Sequence, residues 1–140
     1  MATTLTRIVR FTAHHRYFRP EWSEERNRAA FGACAEAPGH AHDYLCAVTV
    51  GGAVAADTGM IMDLGVLDRI LAEEVTGRLH GRHFNLDIPE FAYGKSIPTG
   101  EAVAGYFYQR IRQRLPVGVR LERVRVQEDA SLFADCTGQP

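Results

Sequence analysis

The sequence has no apolar run long enough to cross a bilayer and no excess of charge. Its 140 residues carry a formal net charge of -1. The first absence excludes a helical membrane span. The second gives no reason to expect a general nucleic-acid or membrane-surface binder. Cysteine is scarce: Cys34, Cys46 and Cys136 are odd in number, and none forms a C-x-x-C pair. That pattern argues against a disulfide scaffold and a thiolate zinc finger, and it suits a reducing compartment. A signal-peptide pattern is also missing, since Arg7 and Arg10 interrupt the first apolar stretch; the expected location is the cytoplasm. There is no internal repeat and no low-complexity segment. The length suits one domain over residues 1–140, large enough to bury its own core.

What is present centres on Phe31–Tyr44, which reads FGACAEAPGHAHDY. His40 and His42 are one residue apart. On a strand, alternate side chains share a face, so both imidazoles point the same way. A His-x-His pair on a strand can offer two nitrogens to one metal ion. Taken alone, such a pair is more often a surface feature of a chain with six histidines. Cys34 lies across the Pro38-Gly39 turn, close enough to line the same cavity.

Leu5 to His15 alternates and is rich in β-formers, which predicts a strand. Val9, Phe11, Ala13 and His15 then share one face, and His15 projects from its end as a plausible third ligand. Pro20 ends this element. Ser23, followed by Glu24 and Glu25, predicts a short helix that stops at Gly32. A strand over Ala41–Val50 and a Gly51-Gly52 turn follow, and Val54–Met62 is expected to be partly extended. Asp63 caps a helix with Leu64, Leu67, Leu71, Val75 and Leu79 at helical spacing. His80–Pro98 is expected to be a loop. Thr99 caps a second long helix to Leu115, and strands over Val119–Glu128 and Ser131–Cys136 complete the chain. The expectation is an α+β fold: a four-stranded antiparallel sheet with two long helices on one face. Neither side of the Ala41–Val50 strand is strongly charged, so the sheet face without helices requires a second cover, which oligomerisation would supply.

Five motifs, in order, carry a resemblance over nearly the whole chain. They are Phe11-Thr12-Ala13-His14-His15, then Phe31-Gly32-Ala33-Cys34 with Gly39-His40-Ala41-His42-Asp43-Tyr44. Gly59-Met60-Ile61-Met62-Asp63, Pro98-Thr99-Gly100-Glu101 and a strand ending at Glu128 follow. The chain resembles the 6-pyruvoyl-tetrahydropterin synthase / 6-carboxy-tetrahydropterin synthase family. The resemblance implies the tunnelling fold, in which subunits join their sheets into a barrel, as trimers or stacked pairs of trimers, with active sites at subunit interfaces. It implies zinc bound by His15, His40 and His42, with His14 the less favoured neighbour for the first ligand. It implies Cys34 as the catalytic cysteine and Glu128 as the carboxylate that grips the pterin, with Thr99 and Glu101 at the substrate. The implied reaction is a zinc-dependent change in the side chain of 7,8-dihydroneopterin triphosphate. The Cys34–His40 spacing is more similar to the pyruvoyl enzymes.

The sequence departs from the family where an Asp-His pair normally precedes the H-L-N or N-L-N element, as L-D-H-x-x-L-N. Here the segment reads Leu79-His80-Gly81-Arg82-His83-Phe84-Asn85. Three expectations follow: His80 or His83 takes over the proton transfer; the chain acts on a related pterin by retro-aldol cleavage or epimerisation; or it binds metal and pterin without turnover. Asp129, where the family often has threonine, adds negative charge beside the pterin site. Cys46 and Cys136 are expected to be small apolar residues.

Overall fold

Strands β1 (Thr4–His15) and β2 (His40–Gly51) form a long antiparallel pair whose register sets up the site. His15 lies opposite His40, and Ala13 opposite His42. Residues at odd positions of β1 therefore share a face with residues at even positions of β2. The structure, a computed structural model, describes residues 1–138. Between the two strands stand helix α1 (Glu24–Phe31) and a 3-10 turn over Gly32–Ala35. The Ser23 side chain accepts from the Arg26 amide at the start of α1, and Gly32 closes the helix at φ 58. A buried Asn27 ties α1 to the end of β1 by donating to the Arg19 and Ser23 carbonyls and accepting from the Arg19 amide.

Helix α2 (Leu64–Leu71) follows, capped by Asp63, whose carboxylate accepts from the Gly65 and Val66 amides. It runs into a π turn over Ala72–Thr76 and then into α3 (Gly77–Leu79). The Gly77 amide donates to the Ala72 carbonyl, and a Cβ at Gly77 would come within 2.5 Å of that oxygen. Glycine thus permits the wide turn in what the sequence presents as one regular helix. Next come β3 (Arg82–His83), α4 (Phe84–Asp87), a 3-10 turn at Pro89–Phe91 and α5 (Gly100–Arg112). Strands β4 (Arg120–Asp129) and β5 (Leu132–Cys136) close the chain.

The sheet order is β3-β1-β2-β4-β5. Its pairs are antiparallel except β3 with β1, which is parallel. The α+β class and the two helices against one face agree with the sequence, but the sheet has five strands and is mixed. The extra strand lies inside the segment expected to be a loop. A second correction concerns Val54–Met62, which forms turns instead of a strand: Ala55 N–H donates to the Met60 carbonyl, and Gly59 N–H to the Ala55 carbonyl. Both edges of β2 are already occupied, by β1 and β4, so a returning hairpin strand has no edge to pair with.

The core lies between the sheet and the helices. Phe11, Tyr44, Cys46, Val48, Val124 and Val126 meet Leu67, Leu71, Val75, Val103, Phe107 and Ile111. Phe11 stacks on Tyr44 at 4.8 Å and meets Phe107 edge-on at 5.9 Å. Each such side chain contributes about 1.5–3 kcal/mol by leaving water. The opposite face of the sheet is more polar than the β2 strand alone suggests. Register puts Ile8, Leu45, Ala47 and Phe133 there beside Arg10, Arg123 and Arg125. Arg125 pairs with both carboxylate oxygens of Asp135 and lies 3.8 Å from the Phe133 ring centre. Among the described residues, β3 covers only Ala13 and His14 of β1, and the outer edge of β5 is unpaired. No helix among them is long and apolar enough to cross a membrane.

Candidate metal centre and substrate cavity

The β1–β2 register brings His15, His40 and His42 together at one end of the sheet. One ring nitrogen from each lies within 4.8 Å of the others. His15 Nε2 is 3.1 Å from His40 Nε2, and the three ring centres are 4.7 to 4.9 Å apart. His15 is fully buried, while His40 and His42 are half-buried. Burial, and then the two neighbouring imidazoles, push the His15 pKa down to about 3. Burial, and then His42, also lower that of His40. Those two rings are therefore held neutral, the state in which imidazole binds a metal. The other nitrogen of His15, Nδ1, is 2.8 Å from the Tyr44 hydroxyl. That contact orients the ring and leaves Nε2 facing the other histidines, as the outer partner of a ligating histidine commonly does. Three convergent nitrogens with a tethered ring fit one divalent ion.

The triad opens into a cavity of about 430 Å³. Cys34, Glu128, Thr99 and Glu101 line it, with Tyr17, Asp129 and Phe133. They arrive from several elements. Cys34 sits on the 3-10 turn after α1, and its carbonyl accepts from the Tyr17 amide at 2.9 Å. Thr99 and Glu101 stand at the start of α5, where Thr99 Oγ1 accepts from the Ala102 amide. Glu128 is near the end of β4, with Gly100 close by: a Cβ there would lie 3.7 Å from Glu128 Oε1. A larger hollow of about 670 Å³ at Arg19, Glu90 and Lys95 shows no comparable convergence of donors.

Glu128 is buried, and its Oε1 accepts from the Tyr17 hydroxyl at 3.2 Å. Burial raises its pKa, against the lowering effects of His42 and Tyr17. A buried carboxylate with one oxygen so lightly engaged can still accept from a ligand. Burial and then Glu128 push the Cys34 thiol upward. These groups disfavour a thiolate, and a dication in the triad is the charge that would oppose them. Cys46, by contrast, is fully buried in the core with its pKa pushed up to about 12, as an inert packing residue should be. Asp129 lines the cavity, but its carboxylate accepts from the Ser131 amide and hydroxyl at 2.8 and 3.0 Å. It thus braces the β4–β5 turn.

His80 does not line this cavity. It is exposed at the outer edge of β1, where its Nδ1 accepts from the Thr12 amide at 3.1 Å. His83 is also outside, its ring held between the Pro38 carbonyl and the Asn85 amide. The residues that sequence reasoning missed are Tyr17 and the role of Tyr44. Tyr44 was visible as the last residue of its motif and as in phase with the histidines. Tyr17 carries no comparable signal, because it lies past the strand in a run of aromatic and basic residues.

A family model described as 6-pyruvoyl tetrahydropterin synthase matches residues 4–139. The human 6-pyruvoyl tetrahydrobiopterin synthase is 36% identical over 124 residues, spanning 89% of this chain and 83% of the relative. The Drosophila melanogaster protein of that name is 32% identical over 124 residues, spanning 89% and 73%. The solved structure of the Caenorhabditis elegans 6-pyruvoyl tetrahydropterin synthase has a TM-score of 0.91 and 25% identity, over 99% of this chain and 97% of that one. With the family model spanning almost the whole chain and the human relative above 30% identity, this chain belongs to the 6-pyruvoyl tetrahydropterin synthase family.

Proposed function

We propose that residues 1–140 form one zinc-dependent carbon–oxygen lyase domain acting on the side chain of 7,8-dihydroneopterin triphosphate. The observation that carries this reading is the convergence of the histidine triad, Cys34 and Glu128 on one cavity. The name of the human relative supports a 6-pyruvoyl product. His15, His40 and His42 would hold the ion through their ring nitrogens. When bound, zinc supplies positive charge that polarises the hydroxyl and carbonyl oxygens of the side chain. Glu128 accepts two N–H bonds from the pterin's amino-pyrimidinone edge, with Tyr17 keeping it oriented. Thr99 and Glu101 border the substrate at the start of α5. Cys34, as thiolate, takes a carbon-bound proton. Incubation with dihydroneopterin triphosphate and product analysis tests the reading. Absence of any product favours the second reading, a divergent homologue that binds zinc and pterin with altered chemistry or none. The observation on its side is the His80-Gly81 departure, with His80 outside the cavity.

His42→Ala should leave the chain folded but poor in metal, because the core is built without the triad. Metal content after gel filtration, set beside thermal melting, checks this; stoichiometric zinc in the variant would remove the ligand assignment.

The assembly proposed is a homo-oligomer, a trimer or two stacked trimers, with sheets joined edge to edge. The outer edge of β1 before Ala13 and that of β5, both unpaired among the described residues, support it, since long exposed edges are normally covered. In such an assembly His80, on the β1 edge, would serve the cavity of a neighbouring copy beside its β5. Sedimentation at micromolar concentration should give a trimer or hexamer, and a monomer would contradict the arrangement.

A further inference from the structure

The segment that departs from the family pattern also holds the backbone on which the triad stands. His83 Nε2 is 2.8 Å from the Pro38 carbonyl, and its Nδ1 is 3.2 Å from the Asn85 amide. A carbonyl can only accept and an amide N–H can only donate. The ring is therefore the neutral tautomer with its proton on Nε2, and both nitrogens are engaged. Pro38 stands two residues before His40. Gly39, between them, has φ 100 and packs so tightly on the His15 carbonyl that a Cβ would collide with it. Two residues on from His83, the buried Asn85 accepts from the Arg16 amide at 2.8 Å and donates to the Phe91 carbonyl at 3.3 Å. Arg16 directly follows His15. One short segment thus grips the chain just before one member of the triad and just after another.

We propose that His83 is a positioning residue for the metal triad: its Nε2–H bond to the Pro38 carbonyl sets the approach of His40 to His15, and Asn85 fixes the far side of His15. The proposal rests on the triad being a metal centre. It explains why a histidine at this position is engaged through both nitrogens while standing outside the cavity. The competing role is local, because His83 also caps α4 through Nδ1. Two conservative variants separate the roles. His83→Asn keeps an acceptor for the Asn85 amide but stops short of Pro38. His83→Gln extends a side-chain N–H to the Nε2 position and gives up the cap.

Zinc affinity is measured by competition with a chromophoric chelator, and the metal-free chains are melted in parallel. His83→Asn should bind zinc about 10–100-fold more weakly than the parent, without a matching loss in melting temperature. His83→Gln should stay within a few-fold of the parent. Asn85→Ala supplies an independent arm and should weaken zinc by about tenfold or more through the freed Arg16 amide. Parent-like affinity in His83→Asn, or an equal fall in His83→Gln, overturns the role given to the Pro38 bond. Parent-like affinity in Asn85→Ala overturns the second grip. A parent chain that binds no zinc overturns the metal-centre reading itself, and the positioning role falls with it.

Discussion

Replacing Cys34 with alanine should lower turnover of 7,8-dihydroneopterin triphosphate by about 10²–10⁴-fold, the usual worth of a positioned acid or base. Zinc and pterin should stay bound. Cys34 shares the cavity with the triad but makes no hydrogen bond that supports its neighbours through the thiol, so its loss should be felt in kcat before KM. The surroundings supplied by the chain raise the thiol's pKa, through burial and then Glu128. A thiolate there therefore depends on the metal, and the metal-free protein should react more slowly with an alkylating reagent than the zinc-loaded one. His80→Ala should show a loss of the same order if His80 is the partner in proton transfer. The two variants share a further test. Each chain's His80 lies at the sheet edge away from its own Cys34 cavity. Unfolding and refolding the two inactive variants together should restore part of the activity, because some assembled sites would carry both intact groups. A His80→Ala variant that turns over like the parent would end the relay idea. An inactive one that is never complemented would put its action within its own chain.

Glu128→Gln should weaken pterin binding by more than tenfold while zinc content stays unchanged. The substitution keeps the size of the side chain but turns one acceptor oxygen into a donor that opposes the pterin's own N–H. Losing such a charge-assisted bond inside a cavity costs about 1.5–3 kcal/mol. The position is suited to the task because Glu128 is buried, is tethered by Tyr17 and has Gly100 beside it. The expected pH dependence has a definite sign. Binding needs the carboxylate, which exists above the Glu128 pKa and is lost as pH falls through it. Burial raises that pKa from the ordinary 4.5, so affinity should begin to fall at a higher pH than for an exposed glutamate. In the glutamine variant this part of the pH dependence should vanish. Unaltered affinity in Glu128→Gln would transfer the anchoring role to another carboxylate of the cavity, Glu101 or Asp129.

The sequence by itself determined the elements with strong local signals. Ser23, Asp63 and Thr99 each cap the helix that follows, because a short polar side chain before an apolar-periodic run satisfies amides that the helix leaves free. The two-residue period of β1 and β2 was enough to put His15, His40 and His42 on core-facing sides of their strands. The motif order was enough to name the family. Tertiary structure decided what depends on partners distant in sequence. Val54–Met62, expected to be partly extended, finds no free edge on β2. Arg82 and His83 pair with β1 although the local signals there are turn-like, because β1 offers an open edge where they pass. Asp129, which by sequence adds charge to the substrate site, does line the cavity, but its Oδ1 is taken by the turn at Ser131. His80 and His83 both stand in the segment that departs from the family pattern, yet one is at the sheet edge and the other is bound at both nitrogens to Pro38 and Asn85. Spacing along a chain reports which side chains share a face. It does not report which carbonyl, from 45 residues away, will take up a ring nitrogen.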